Sequence, residues 1–156
     1  MSKLISKAIK LSLLCIFLVL ASSVWVLADS ANKPIATDSS GVSIKGYDTV
    51  AYFTEGRAIK GKKEFEFSWQ GALWYFASAE HRDMFMANPE RYAPKFGGYC
   101  AGGIIRGITV AANPKNWKIV DGKLYMNYSK RGRDQFHKNA TVNIKKAEEN
   151  WAKLNI

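Results

Sequence analysis

The sequence predicts an α+β fold: a small antiparallel sheet of β-hairpins packed against short helices and a C-terminal helix. Three patterns predict it. Residues 63–69 (KEFEFSW) alternate strictly, Gln70-Gly71 supplies a two-residue turn, and residues 72–77 (ALWYFA) return, which reads as a hairpin. Residues 117–120 and 123–128 flank Asp121-Gly122, the strongest short-range hairpin signal. Residues 141–154 place Ile144, Ala147, Trp151 and Leu154 at spacings of 3, 4 and 3, one buried stripe of a helix.

The remaining elements follow in chain order. Lys3, Lys7 and Lys10 precede an uncharged run over residues 11–28, which ends Val26-Leu27-Ala28 before Asp29. Residues 1–28 therefore read as a signal peptide cut after Ala28. Because the uncharged run has 18 residues, close to the roughly 20 that span a bilayer, an uncleaved anchor is the competing reading. Both readings put the remainder outside the cytoplasm, periplasmic or secreted. Residues 29–40 (DSANKPIATDSS) are small and polar and read as a flexible leader to a domain over 41–156. Residues 47–53 (YDTVAYF) fit a short helix capped by Asp48 and closed by Gly56. The period of two puts Phe65, Phe67 and Trp69 on one face, which must be covered. Ser78 is an N-cap for a helix over 79–88 that stops at Pro89, and a short turn at 90–92 follows. His81, Phe85 and Tyr92 fall near one face. The glycine-rich segment 96–103 places Cys100 near the start of another short helix. No internal repeat is read; the two hairpins alone do not make one.

Composition narrows the function classes. The chain has 156 residues, 47% of them hydrophobic, with 23 Lys plus Arg against 13 Asp plus Glu. That suits one globular domain and excludes wholesale disorder. The basic excess survives removal of the first 28 residues and lies in scattered groups, Lys60, Lys62 and Lys63, then Lys130, Arg131 and Arg133, then Lys145 and Lys146. A solvated surface drawn to an anionic membrane fits it, and nucleic acid is not an expected partner.

Of the two cysteines, Cys15 leaves with the signal, so no disulfide can form within the mature domain. Cys100 has the best case for chemistry, since Gly97 and Gly98 allow close backbone approach and a helix start after them favours a thiolate, both nucleophile and soft-metal ligand. A buried, inert small side chain is the alternative. With two histidines, a His-rich zinc site is impossible; His81 is an auxiliary ligand candidate and His137 sits in a basic amphipathic stretch. Met84 and Met86 are soft thioethers, but two residues apart on a helix they face different ways. Asp48, Glu80 and Asp83 read as caps or solvated acids. No paired catalytic carboxylates, Ser-His-Asp order or phosphate-cradling loop is seen, so a binding module is favoured over an enzyme.

Gly46-Tyr47-Asp48-Thr49-Val50-Ala51-Tyr52-Phe53, Trp74-Tyr75-Phe76-Ala77-Ser78, Asn88-Pro89-Glu90-Arg91-Tyr92 and Gly97-Gly98-Tyr99-Cys100-Ala101 together resemble the exported branch of the YHS domain family. Asn113-Pro114, Trp117 and residues 122–128 fit the same branch, so the likeness runs over about 41–154. The resemblance implies a small α+β module tied to copper and heavy-metal handling. In the metal-binding form, cysteines lie in a segment like residues 48–51 and in a C-S-x-x-C segment like 77–81; here Ala51 and Ala77 hold two of those positions and His81 the third. Three readings follow. One is an exported module for a soft metal such as copper, with Cys100 as central ligand, His81 auxiliary and Met84, solvent or an exported metal-handling partner completing the set. A second is a thiol redox protein, and a third a structural or interaction domain with an inert Cys100.

Overall fold

The computed structural model of the protein describes residues 34–156. The expected signal segment, its cleavage point, Cys15 and the start of the leader lie outside the described residues. Pro34–Ile156 forms one unit, and among the described residues no helix is long and apolar enough to cross a membrane. The α+β expectation holds. Strands β1 (Lys62–Trp69) and β2 (Ala72–Phe76) pair antiparallel, as do β3 (Asn113–Val120) and β4 (Lys123–Asn127). They form two separate two-stranded sheets rather than the single small sheet expected. The helices are α1 (Ala51–Thr54), α2 (Ala79–Ala87), α3 (Pro89–Tyr92), α4 (Ala101–Ile104), α5 (Lys130–Lys138) and α6 (Ala140–Lys153).

The chain is an internal repeat, which corrects the reading that it has none. In the first hairpin the pairing Lys62↔Phe76 jumps to Glu66↔Tyr75, and 51 residues later Asn113↔Asn127 jumps to Trp117↔Met126, so both bulges fall at one place. Both turns carry two residues at positive φ, Gln70 (48°) and Gly71 (72°), then Asp121 (49°) and Gly122 (70°). Ser78 accepts from the backbone N–H of His81 at 3.2 Å, and Ser129 from that of Gly132 at 3.1 Å, so each hairpin ends in a serine-capped helix. Each helix carries a fork from arginine to the next aspartate, Arg82 to Asp83 and Arg133 to Asp134. At the same interval α3 and α6 begin behind Asn88 and Asn139. Gly71, Leu73, Ser78, Arg82, Asp83, Phe85 and Asn88 recur as Gly122, Leu124, Ser129, Arg133, Asp134, Phe136 and Asn139. Elsewhere the side chains diverge, which is why hydrophobic patterning alone misses the duplication.

Each repeat buries its own aromatic core. Phe85, fully buried, meets Phe67, Trp69, Trp74 and Phe76 with ring centroids 5.1–6.3 Å apart, which covers the β1 face as its alternation requires. Its counterpart Phe136 packs with Phe96, Ala101, Ile104, Tyr125 and Ala147, joined by Ile144, Trp151 and Leu154 from α6. A third cluster takes Ile44 and Tyr52 from the first repeat and Ala112, Leu124 and Met126 from the second. Tyr52 ties the two: its ring lies 4.8 Å from Trp117 and its hydroxyl donates to the Pro114 carbonyl at 2.8 Å.

Two expectations need adjusting. The helix foreseen over 47–53 is only α1, because Asp48 caps it from three residues upstream. The segment read as a flexible leader is tied to the fold from residue 34 on: Ile35 packs on the first core and the Ala36 N–H donates to the Gly97 carbonyl at 2.8 Å. Gly97 is required there, since a Cβ would stand 2.4 Å from the Pro34 carbonyl oxygen.

Phe85→Ala and Phe136→Ala should each cost about 3–5 kcal/mol in urea unfolding, as deletion of a buried aromatic leaves a cavity. A near-neutral result for either would deny that repeat a core of its own.

Candidate functional site

The residues singled out by the sequence fall into two equivalent places, one per repeat. In the first, Asp48 has no exposed surface, and its Oδ1 accepts the N–H groups of Val50 (2.8 Å) and Ala51 (3.2 Å). Its Oδ2 accepts the Ala77 N–H at 2.8 Å and meets His81 Nδ1 at 2.6 Å. The contact with a carboxylate acceptor puts a proton on Nδ1, the arrangement that orients metal-binding imidazoles. His81 Nε2 lies 3.2 Å from the Thr54 hydroxyl, which is equally 3.2 Å from the Val50 carbonyl. Ala51, Ala77 and His81, the positions matched to ligands of the metal-binding form, thus converge on Asp48, with methyl groups where two thiols would stand.

Cys100 holds the corresponding place in the second repeat. The Asp48 N–H donates to the Ile59 carbonyl at 2.9 Å and the Cys100 N–H to that of Val110 at 2.8 Å. The Ala77 N–H donates to Asp48 Oδ2, and 51 residues later the Tyr128 N–H donates to Cys100 Sγ at 3.2 Å. Cys100 is also the N-cap residue of α4, as foreseen. The partner of the acceptor changes too: at the His81 position the second repeat has Gly132. With no imidazole there, a cleft of about 450 Å³ opens over the sulfur, lined by Gly132, Ser129, Tyr128, Arg131 and Gln135 among others. Cys100 itself is 4% exposed.

Cys100, His81 and Met84 each have their own surroundings in the structure. Cys100 and His81 have no bonding partner in common, and Met84 is half-buried against the core around Phe85. Met86 is 49% exposed on another face. Among the described residues, no three His, Cys, Asp or Glu side chains are grouped to hold a metal ion. Glu80 lies in the first turn of α2 and Asp83 pairs with Arg82, as helix-end and surface acids do.

Sequence reasoning missed two features. The Asp48–His81 pair becomes legible through the repeat, in which Gly46-Tyr47-Asp48 stands against Gly98-Tyr99-Cys100, 52 residues on and one more than the interval of the hairpins. His137 is the other: both ring nitrogens are shielded from solvent with no hydrogen-bond partner, and the ring packs on Phe136 and Tyr125. Burial, then the charges of Lys118 and Arg133, push its pKa down to about 4 against the opposing Asp134. Burial likewise raises Tyr125 to about 12, with Glu148 and Asp121 adding to it.

Residues 50–95, within the first repeat, match the family model described as YHS domain. YHS domains are associated with metal handling, copper included. No curated protein and no solved structure matches the chain.

Two measurements check this geometry. Asp48→Ala strands three backbone donors and the His81 ring, so it should destabilise by about 3 kcal/mol or more in urea unfolding, and Asp48→Asn by less. Unfolded His137 takes up a proton near pH 6.5 while the folded chain resists until about 4. Stability should therefore fall as pH drops through that window and level off below it. With allowance for solvent screening of the half-buried ring the loss is about 1–2 kcal/mol, and it should vanish in His137→Leu.

Proposed function

We propose, from the YHS domain at residues 50–95 and its second copy, that the protein is an exported, non-catalytic metal-handling module that takes a soft ion of the copper(I) type at Cys100. One observation carries the reading. The second repeat exchanges the Asp48–His81 pair for Cys100 and Gly132, so the one free cysteine of the described residues lies under a cleft that in the first repeat is filled by an imidazole. Thiolate is the soft donor that copper(I) prefers. The Tyr128 N–H is directed at the sulfur, so the sulfur lies beside the cleft with a fixed orientation, and a metal would bind it as thiolate.

A single thiolate leaves the ion's other positions to solvent or to a donor from an exported metal-handling partner, which suits transfer rather than storage. His81 is not part of this set. Its Nε2 is an oriented imidazole donor of the first repeat, available to a second ion only once Thr54 is displaced. Met84 stays in the core and contributes packing. The slight exposure of Cys100 favours a second reading, an interaction domain in which the thiol is inert.

The experiment is elemental analysis of protein purified without affinity metals or chelators, followed by anaerobic copper(I) titration against a competing chelator. Wild type should take one equivalent, Cys100→Ser none and His81→Ala one. Gly132→His restores the missing imidazole beside the thiol, its Cβ 3.2 Å from a Ser129 hydroxyl that can rotate, and should tighten binding at least about tenfold. Metal-free wild type, or copper retained by Cys100→Ser, would leave the interaction-domain reading.

A further inference from the structure

We propose that the cavity between β3 and α5 binds a phosphate group, either free or carried on a lipid headgroup. The cavity, about 600 Å³, is lined by Trp117 and Lys118 from β3 and by Arg133, Asp134, His137 and Lys138 from α5. Three cations therefore face one space. Asp134 is the only acid among these lining residues, and it is bonded to Lys130 at 2.9 Å and to Arg133 at 2.8 Å. Lys118 and Lys138 have no ion-pair partner among the described residues. A neighbouring groove lined by Lys130, Arg131, Asp134, Gln135 and Lys138 continues the positive surface.

His137 separates this cavity from an ordinary basic patch. An imidazole whose two nitrogens are hidden from water and bonded to nothing costs free energy unless something else makes use of it. Its proton is disfavoured by burial and by Lys118 and Arg133, while Asp134 favours it; Tyr125 packs against the ring and adds no charge at neutral pH. An anion among the lysines and arginine cancels that repulsion and lets the ring take up a proton, which turns a buried liability into a binding group. A doubly charged, many-oxygened tetrahedral group answers two lysines, a guanidinium and an imidazolium better than a carboxylate does. Trp117 provides the apolar wall against which an ester carrier would rest. None of the six residues lining this cavity lines the Cys100 cleft, so this site and the metal reading stand or fall separately.

The test follows the His137 ring nitrogens by NMR in the purified protein while inorganic phosphate is added at constant ionic strength. In parallel, the protein is sedimented with phosphatidylcholine vesicles containing or lacking phosphatidic acid. At about pH 8, where inorganic phosphate is doubly charged, the ring signals should shift and saturate. Lys118→Gln, an exposed change on β3, should weaken binding by about three- to tenfold, whereas Lys63→Gln on β1 should leave it unchanged. A response to inorganic phosphate assigns a free ligand, and a response to the acidic vesicles alone assigns a lipid headgroup. No response in either arm, or equal losses from Lys118→Gln and Lys63→Gln, would overturn the proposal.

Discussion

A buried acceptor at the start of each repeat holds the two halves of that repeat together. Asp48 is fully buried, and it reaches from the loop before α1 to the end of β2 and the start of α2 through two oxygens. A carboxylate is tolerated there because every lone-pair direction meets a donor. Cys100 performs the same linkage with one weaker acceptor, receiving the Tyr128 N–H where β4 passes toward α5. The hairpin, the serine cap and the following helix all take their positions from that link.

The change from Asp48 to Cys100 alters chemistry without altering topology. A hard, charged oxygen pair gives way to a soft, polarisable sulfur, and the loss of the imidazole at Gly132 converts a filled space into a cleft. In the first repeat the donors satisfy one another completely; in the second they leave room. That difference lets a duplicated scaffold keep one copy closed while the other faces solvent.

Much of the fold was legible in the sequence. The Gln70-Gly71 and Asp121-Gly122 turns demand positive φ and so fix both hairpins, and Ser78 and Asn88 punctuate their helices by side-chain acceptors. The stripe of Ile144, Ala147, Trp151 and Leu154 named the buried face of α6. Helix α5 was hidden because Lys130–Lys138 is nearly all polar and shows one buried residue, Phe136. The repeat was hidden because its two copies share caps and turns while replacing core and site residues, among them Phe76 by a buried, unbonded Asn127. Cys100 was identified as the chemically distinctive residue from its glycine-rich setting, but its cleft depends on a missing side chain 32 positions away in the sequence. Local patterning cannot report that kind of absence.

The cluster shared by Ile44, Tyr52, Ala112, Leu124 and Met126 bears on where this molecule can be cut. The family match ends at residue 95, yet a chain stopped there would leave Tyr52 without Trp117 beside it and without the Pro114 carbonyl that receives its hydroxyl. The first copy is therefore a recognisable segment but not an autonomous one. The unit that melts cooperatively encloses both copies.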